Sequence, residues 1–401
     1  MRILWVNSNF MHPTTKGGQI RTLEMLRHLH RWHEIHYVAL QYPDQPEGPA
    51  RAHEYSAKSY PFPHQVPDKR SPAFIKQLAA GMFSSEPMSV SRFHPPGMRK
   101  FLEDLIRRES FDSAVVDHIA PMAYFPRRSG CVLFQHNVEF MIWRRHTQHA
   151  KDPFRKLFFG SQARRMFEFE RNACREAGHV VACSEVDNRL MRESFGISNV
   201  SDVPTGVNLE FFAPPPAPTH QTTAPDFAFV GSMDWLANQQ GVLWFAREIL
   251  PLIRRKRPNA TFAVVGRTPP PSIQALASDP GITVTGTVPD VRPWFWESAV
   301  SVVPLLVGGG TRLKIYEAMA ARSAVVSTAI GAEGLEYNHL ENIRIADTPE
   351  DFAAHCLDLV QNVDVRRQVV DSAWRMVHEK YSWEVAARKF DQILETSPRL
   401  Q

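Results

Sequence analysis

A glycine-rich stretch between an apolar strand and an amphipathic helix carries the residues best suited to chemistry. A buried strand is predicted at Val300–Val303, three glycines occupy positions 308–310, and the helix opens near Thr311. Glycine lets a ligand approach the backbone, and the N–H groups at a helix start favour anions. Arg312 and Lys314 add two cations, each unfavourable there by about 0.3–1 kcal/mol unless an anion binds. The pattern therefore predicts a phosphate site.

An acidic residue follows inside the same predicted helix. Glu317 lies about one turn beyond Lys314, where a carboxylate can accept hydrogen bonds from a ribose. It can equally pair with Lys314 or Arg322 on the helix surface, and the first-turn cations can simply be solvated. Local sequence leaves these alternatives open.

A second glycine loop stands near the beginning of the chain. Gly17 and Gly18 lie between a predicted strand at Ile3–Val6 and a predicted helix at residues 21–32. The loop lacks the spaced GxGxxG of dinucleotide enzymes, so a nicotinamide cofactor is not favoured. A phosphate or a sugar can approach such a loop, and an ordinary tight turn is the alternative.

Polar residues follow two further predicted strands. Asp117 and His118 come after Ser113–Val116, and His136 comes after Cys131–Phe134. Open α/β sheets bind ligands at the carboxyl ends of their strands. His136 is the stronger catalytic candidate of the two histidines, and a structural role is the alternative in a chain with 17 histidines.

Strands and helices alternate through the chain, which predicts an α/β fold with two parallel-sheet domains. Residues 214–225, rich in proline and threonine, predict a linker. We expect one domain at residues 1–213 and a second at residues 226–382, with the ligand site in the cleft between them.

Two segments stand out from this alternation. Residues 41–97 are rich in proline around a predicted helix at residues 72–83, and we assign them to partner recognition. The predicted helix at residues 153–177 mixes basic and aromatic residues. It can lie against lipid headgroups, or it can be a solvated helix with one face in the core.

Composition limits the class of protein. The chain has 401 residues, 43% of them hydrophobic and 22% charged, which is typical of globular proteins of about two or three domains. The net charge of +4 is too small to indicate a nucleic-acid partner, but it permits weak attraction to an anionic membrane.

Cysteine usage and the N-terminal sequence indicate the compartment. The four cysteines form no CxxC pair, which argues against structural zinc and favours a reducing compartment. The first ten residues read as a strand and not as a signal peptide, and no apolar run approaches roughly 18 residues. We expect a cytoplasmic protein, with peripheral contact to the inner face of the membrane as an open question.

Several motifs in order resemble a known family. FVGSMDW, VVGR, VTGTVPDV, GGGTRLKIYEAMA and GAEGL look like the C-terminal domain of the retaining glycosyltransferases of family four, which are group 1 glycosyl transferases. The GG loop, QHNVE and PTGVN match that family's N-terminal domain. The resemblance covers essentially the whole chain. It implies the GT-B fold, two Rossmann-like doubly wound domains facing a central cleft, with the final helix, residues 383–401, crossing back onto the first domain. It also implies that residues 1–213 are the acceptor-binding domain and residues 226–382 the nucleotide-sugar-binding domain.

The resemblance also implies roles for residues. It makes His136 a neighbour of the transferred sugar, Arg312 and Lys314 the partners of the departing diphosphate, and Glu317 the holder of the ribose. The implied donor-binding residues are Gly17, Gly18, Gly231, Arg267, Val288, Gly309, Gly310, Thr311, Leu313 and Glu317.

Two departures from the family pattern leave the donor sugar open. Gly309 stands where the first of two acids is usual, and Ser232 and Met233 stand where a basic residue is usual. Arg312 and Lys314 would then have to supply the positive charge for the phosphates.

The expected reaction is transfer of a hexosyl group, with retention, from a UDP-, GDP- or ADP-linked sugar to a hydroxyl of a saccharide or lipid-linked acceptor. The expected setting is the synthesis of cell-surface polysaccharide or glycoconjugates. No DxD-like acidic pair stands where the diphosphate would sit, and the motifs contain no convincing enzyme nucleophile, so we expect same-face attack without a metal or cofactor. A nucleotide-sugar epimerase and a non-catalytic sugar-nucleotide-binding protein are the alternatives.

Overall fold

The chain forms two compact units, each built around one parallel sheet. The structure is a computed structural model that describes residues 1–14, 17–65, 86–150, 152–216, 224–307 and 313–400. The first unit comprises Met1–Thr205 and Ala386–Gln401, and the second comprises Gly206–Val385. The predicted α/β class with two doubly wound sheets is confirmed.

The sheet of the first unit has the strand order β3-β2-β1-β4-β5-β6-β7, and every pairing is parallel. Strands such as β4 and β5 are buried throughout, as expected where helices cover both faces of a parallel sheet. The strands are β1 (Arg2–Asn7), β2 (Glu34–Gln41), β3 (Lys58–Pro63), β4 (Ser113–Asp117), β5 (Cys131–Phe134), β6 (His179–Ala182) and β7 (Val200–Asp202).

Helices connect these strands, and several have recognisable ends. Asp152 caps one helix by accepting a hydrogen bond from the Arg155 N–H at 2.7 Å, and Gly196, with φ at 64°, ends the next. The helices are α1 (Gly17–Leu29), α2 (Glu47–Ala50), α3 (Met88–Ser91), α4 (Met98–Arg108), α5 (Glu139–His149), α6 (Pro153–Glu176) and α7 (Glu185–Phe195).

The second unit repeats the architecture with the strand order β10-β9-β8-β11-β12-β13, again all parallel. Its strands are β8 (Phe227–Val230), β9 (Phe262–Val265), β10 (Ile282–Gly286), β11 (Val300–Val303), β12 (Ala324–Ser327) and β13 (Arg344–Ile345). Its helices are α8 (Leu209–Phe212), α9 (Leu236–Trp244), α10 (Leu250–Arg254), α11 (Pro271–Gln274), α12 (Arg292–Glu297), α13 (Leu313–Ala320), α14 (Pro349–Gln361) and α15 (Val363–Lys380).

Each sheet has one point at which the strand order reverses. In the first unit β1 lies between β2 and β4, and in the second β8 lies between β9 and β11. Helices leave such a strand and its neighbour toward opposite faces, which opens a crevice at their carboxyl ends. These two crevices are where ligand sites are expected.

Some elements differ from the sequence expectations. Helix α1 begins at Gly17 and not at residue 21, so the glycines belong to its first turn. Strand β3 was not predicted because Pro61 and Pro63 disfavour a strand, but it lies at the sheet edge, where proline is tolerated. Helix α5 was also missed, and the helix predicted at residues 72–83 lies outside the described residues.

The last helix, α16 (Trp383–Thr396), contributes its residues from Ala386 onward to the first unit. Phe390 is fully buried there, with its ring centroid 5.7 Å from Trp5 and 5.0 Å from Phe134. The C-terminal segment is therefore part of the packing of the first unit. Among the helices that the structure describes, none has the length and apolar character needed to cross a membrane.

We predict that Phe390→Ala lowers the free energy of unfolding of the first unit by about 3–5 kcal/mol, because it leaves a cavity beneath Trp5 and Phe134. Chemical denaturation followed by tryptophan fluorescence measures the change. The control is Phe154→Ala, since Phe154 is 82% exposed and its loss creates no cavity. Equal stability of the two variants would contradict the packing described for α16.

Candidate active site

The first unit gathers polar side chains around the carboxylate of Asp117, the last residue of β4. Its Oδ2 atom accepts hydrogen bonds from Trp5 Nε1 at 2.9 Å, Asn7 Nδ2 at 2.7 Å and Thr22 Oγ1 at 2.8 Å. Its Oδ1 atom lies 2.6 Å from His136 Nε2. The carboxylate is fully buried, so these four donors replace the water that it loses on folding.

The contact with Asp117 fixes the tautomer of His136. An ionised carboxylate only accepts hydrogen bonds, so His136 Nε2 donates, and in the neutral ring Nδ1 then carries a lone pair. His136 Nδ1 is buried and has no hydrogen-bond partner among the described residues. A Cβ atom at Gly18 would stand 3.8 Å from it, so glycine leaves this nitrogen uncovered on that side.

His118 lies flat against His136. The ring centroids are 3.9 Å apart and the planes meet at 18°. The φ angle of His118 is 68°, in the left-handed region that is costly for residues other than glycine. Its N–H donates to the Phe134 carbonyl at 2.9 Å, which holds the strained residue in place.

Burial and close neighbours determine the charge states of Asp117 and His136. Burial and the neighbouring His118 lower the pKa of His136 to about 3, against the opposing effect of Asp117. Burial alone would raise the pKa of Asp117, but the two histidines and the hydrogen bond from Trp5 lower it to about 2. At neutral pH the site therefore holds an ionised carboxylate and a neutral imidazole.

Arg21 is a second buried charge beside the pair, with 2% of its surface exposed. Its Nη1 and Nη2 atoms donate to the carbonyls of Gln135 at 2.8 Å and Val203 at 2.6 Å. Its guanidinium carbon lies 4.3 Å from the Phe134 ring centroid. Because Gln135 precedes His136, Arg21 fixes the backbone from which the histidine projects.

The two glycines of the N-terminal loop open α1 next to these histidines. A Cβ atom at Gly18 would lie 3.4 Å from two ring atoms of His118, whereas one at Gly17 would have nothing within 4 Å. The start of α1 is thus close to His118 and His136, and Gly17 is surrounded by open space.

Asp117, His118 and His136 also offer possible metal-ligand atoms within 4.8 Å of one another. The Asp117 oxygens already accept four hydrogen bonds, and His136 Nε2 is committed to Asp117. This donor set fits a carboxylate–histidine pair better than a cation site.

In the second unit, Lys314 lies beside the glycine that follows β8. Its Nζ atom donates to Asn238 Oδ1 at 2.9 Å and lies 4.5 Å from the ring centroid of Phe229. A Cβ atom at Gly231 would stand 3.0 Å from Lys314 Nζ and 3.1 Å from Asn238 Nδ2, closer than side chains normally pack. Gly231 therefore makes room for an ammonium group at the carboxyl end of β8.

The backbone next to Gly231 is equally crowded. Gly266 has φ at 157°, and a Cβ atom there would stand 1.9 Å from the Gly231 carbonyl oxygen, so only glycine fits. Arg267 follows, and its Nε donates to Ser232 Oγ at 2.9 Å. The Arg267 side chain is half exposed, and its Nη2 atom lies 3.4 Å from Asp234 Oδ2. Gly231, Lys314 and Arg267 thus surround the end of β8.

The remaining predicted residues of this unit lie near the same edge or outside the described chain. Val288 packs on the small cluster of Ala228, Ala263 and Val265. Glu317 is partly buried one turn after Lys314, and burial raises its pKa to about 7 while Lys314 opposes the shift. Leu313, the first residue of α13, is partly buried. Outside the described residues lie Gly309, Gly310, Thr311 and Arg312.

The sequence interpretation did not identify three residues that belong to these sites. Asp117 was noted only as a polar strand end, although adjacent parallel strands place it next to His136. Arg21 and Asn238 gave no signal, because a buried arginine and a helix asparagine resemble surface residues in the sequence. All three hold a predicted residue in position.

Two family models match the chain. Residues 15–211 match the model described as Glycosyltransferase Family 4, and residues 224–362 match the one described as Glycosyl transferases group 1. A curated relative, "Uncharacterized 44.6 kDa protein in cps region" of Klebsiella pneumoniae, is 25% identical over 161 residues, which cover 38% of this chain and 42% of that protein. The match thus spans less than half of the relative's length.

Solved structures share the fold over nearly the full length. Sucrose-phosphate synthase (tll1590) from Thermosynechococcus elongatus has a TM-score of 0.71 at 14% identity, covering 98% of both chains. Anabaena Alr3699/HepE in complex with UDP and glucose has a TM-score of 0.67 at 11% identity, covering 99% of this chain and 100% of that one.

We predict that the free energy of unfolding falls as the pH is lowered from about 6.5 toward 3, by up to about 1.4 kcal/mol per pH unit from His136 alone. The sign follows from the lowered pKa of His136, because the unfolded chain takes up the proton first. Denaturant titrations at several pH values measure the slope, which should flatten in His136→Gln. His53→Gln, at an exposed histidine, is the control, and a slope unchanged in His136→Gln would rule out a neutral buried His136.

Proposed function

This chain is a glycosyltransferase with the GT-B fold, and we propose that it moves a hexosyl group from a nucleotide-sugar donor to a hydroxyl of a saccharide or lipid-linked acceptor, with retention and without a metal. One observation carries the proposal. Lys314 holds an ammonium group against Gly231 at the strand-order reversal of the second unit, where α/β sheets bind phosphorylated ligands.

We assign the donor diphosphate to this crevice. The Lys314 ammonium would meet the charge that develops on the departing diphosphate, together with Arg312 and the backbone N–H groups of residues 309–311. Glu317 would accept hydrogen bonds from the ribose hydroxyls. Arg267 and Val288 lie at the same edge of the sheet and would flank the nucleobase.

We assign the transferred sugar to His136. Its unpartnered Nδ1 can only accept while the ring is neutral, so it would receive a hydrogen bond from a sugar hydroxyl. Asp117 acts as a positioning residue, because it sets the tautomer that leaves Nδ1 as the acceptor.

In the proposed step the bond between the anomeric carbon and the diphosphate oxygen breaks, and the acceptor hydroxyl oxygen bonds to the same face of that carbon. The acceptor's proton passes to the leaving diphosphate oxygen. Cations and N–H groups supply the electrostatic stabilisation, so the step requires no metal and no covalent enzyme intermediate.

The residues described in the two units do not select one nucleobase for the donor, so UDP-, GDP- and ADP-linked hexoses are all candidates. The HepE structure contains UDP and glucose, which makes UDP-glucose the first donor to test. The Klebsiella relative is described as a protein in the cps region, which supports a role in cell-surface polysaccharide or glycoconjugate synthesis.

We further propose peripheral contact with an anionic membrane through the hairpin of α5 and α6. The two helices pack against each other, and the first turn of α6 exposes Phe154 by 82% and Leu157 by 76%. Arg155 and Lys156 stand between them and are exposed as well. Apolar side chains flanked by cations are typical of surfaces that enter the headgroup layer.

We predict that Lys314→Ala and Arg312→Ala each lower kcat at least about 100-fold, as loss of one group that stabilises a developing anion does. Release of nucleoside diphosphate from a panel of UDP-, GDP- and ADP-hexoses, with saccharide acceptors, measures kcat, and NMR of the product reports its anomeric configuration. Lys256→Ala, at an exposed lysine of the same unit, is the control.

Three results would contradict this assignment. Unchanged turnover in both variants would rule out this crevice as the diphosphate site. A product with inverted anomeric configuration would rule out the retaining mechanism. Conversion of the donor without any acceptor would indicate an epimerase instead.

We predict that the wild-type chain sediments with vesicles of phosphatidylcholine and phosphatidylglycerol, and that Phe154→Ser combined with Leu157→Ser weakens this binding about tenfold or more, since each buried apolar side chain contributes about 1.5–3 kcal/mol. Val186→Ser is the control, because Val186 is 57% exposed on α7 of the same unit. Equal binding by the double variant would exclude the hairpin as the contact surface.

A further inference from the structure

The first unit has a concave surface beside the segment that leads into β5. It lies at the start of that strand, whereas His136 follows the end of the strand. It is a pocket of about 870 Å³. Its charged lining residues are Arg99, Arg127, Arg128, Arg175, Glu176 and Arg399. We refer to this surface as the arginine pocket.

Close backbone packing builds the wall of the arginine pocket. A Cβ atom at Gly178 would stand 2.5 Å from the Ser129 carbonyl oxygen, and one at Gly130 would stand 3.2 Å from the Arg399 carbonyl oxygen. Leu400 is 7% exposed and anchors the C-terminal segment in the core. The backbone that carries Arg399 is therefore fixed against the loop that carries Arg127 and Arg128.

Only some of this positive charge is balanced. Arg128 pairs with Glu176 at 2.6 Å, and Arg99 pairs with Glu103, outside the pocket, at 3.2 Å. Arg175 donates its Nε to the Phe195 carbonyl at 2.7 Å.

Arg127 and Arg399 form no ion pair within the described part of the chain. With Arg175, three guanidinium groups around one concavity thus lack a carboxylate partner among the described residues, and their mutual repulsion is relieved when an anion binds.

We propose that the arginine pocket binds a compact anion with two phosphoryl groups, such as a diphosphate. Guanidinium forks match the oxygens of phosphoryl groups in pairs. One phosphoryl group carries about −1.5 to −2 at neutral pH, so a single one leaves part of the excess charge unbalanced and two neutralise it.

The pocket is separate from the site at His136. Strand β5 has four residues, so its two ends are roughly 13 Å apart at about 3.3 Å per residue. A ligand here does not reach the reacting groups proposed above. It acts as an effector, if the diphosphate is free in solution, or as an anchor, if the diphosphate is the headgroup of a lipid.

Hydrogen–deuterium exchange tests the proposal locally, without interference from a diphosphate bound in the second unit. Sodium pyrophosphate should protect residues 124–131 and the end of α6 in the wild-type chain. Arg127→Ala combined with Arg399→Ala should weaken this binding at least about tenfold, because two charge-assisted contacts are lost. Both side chains are exposed, so the variant is expected to fold.

The control is Arg107→Ala combined with Arg189→Ala, two exposed arginines of the same unit that pair within their own helices. A parallel arm uses phosphatidylcholine vesicles with and without a polyisoprenyl diphosphate. Protection by pyrophosphate indicates a free ligand, and protection by the lipid alone indicates a headgroup.

Three outcomes overturn the proposal: no protection by either probe, the same protection in the Arg127/Arg399 variant, or equal affinity for sulfate. Because turnover with sugar nucleotides is measured separately, loss of this binding with normal turnover leaves the proposed reaction standing.

Discussion

The buried carboxylate of Asp117 is the interaction on which the N-terminal site depends. An unpaired carboxylate in the core would be destabilising by several kcal/mol, and it is tolerated because all four of its partners donate hydrogen bonds. Those partners come from β1, α1 and the residues after β5, so satisfying one charge draws three elements to the same edge of the sheet. The orientation of His136 follows from this arrangement, since its Nε2 is one of the four donors.

Each unit holds a cation near the carboxyl ends of its strands, by different means. In the first unit Arg21 is buried against carbonyl dipoles and the Phe134 ring, and it serves to fix the backbone. In the second unit Lys314 is only partly buried, rests on the Phe229 ring and is held by Asn238. The Lys314 ammonium thus lies beside the end of β8, whereas both terminal nitrogens of Arg21 donate to backbone carbonyls.

Sequence patterns predicted what depends on neighbouring residues and missed what depends on distant ones. The strands Cys131–Phe134, Val300–Val303 and Ala324–Ser327 agree with the predictions, because buried parallel strands appear as continuous apolar runs. The pairing of Asp117 with His136 joins residues at the ends of different strands, and no local pattern encodes it. Arg21 illustrates the same limit, since its burial depends on carbonyls more than 100 residues away.

The charge state of His136 agrees with the chemistry proposed for it. Glycosyl transfer develops positive charge at the anomeric carbon, as in an oxocarbenium ion. A protonated imidazole beside that carbon would oppose this charge, whereas a neutral imidazole accepts a sugar hydroxyl without an electrostatic penalty. Burial beneath His118 keeps the pKa of His136 near 3, and the ionised Asp117 holds its only proton on the nitrogen that faces the core. The same burial that makes the pair costly for folding therefore gives His136 the neutral, accepting form that the proposed reaction needs.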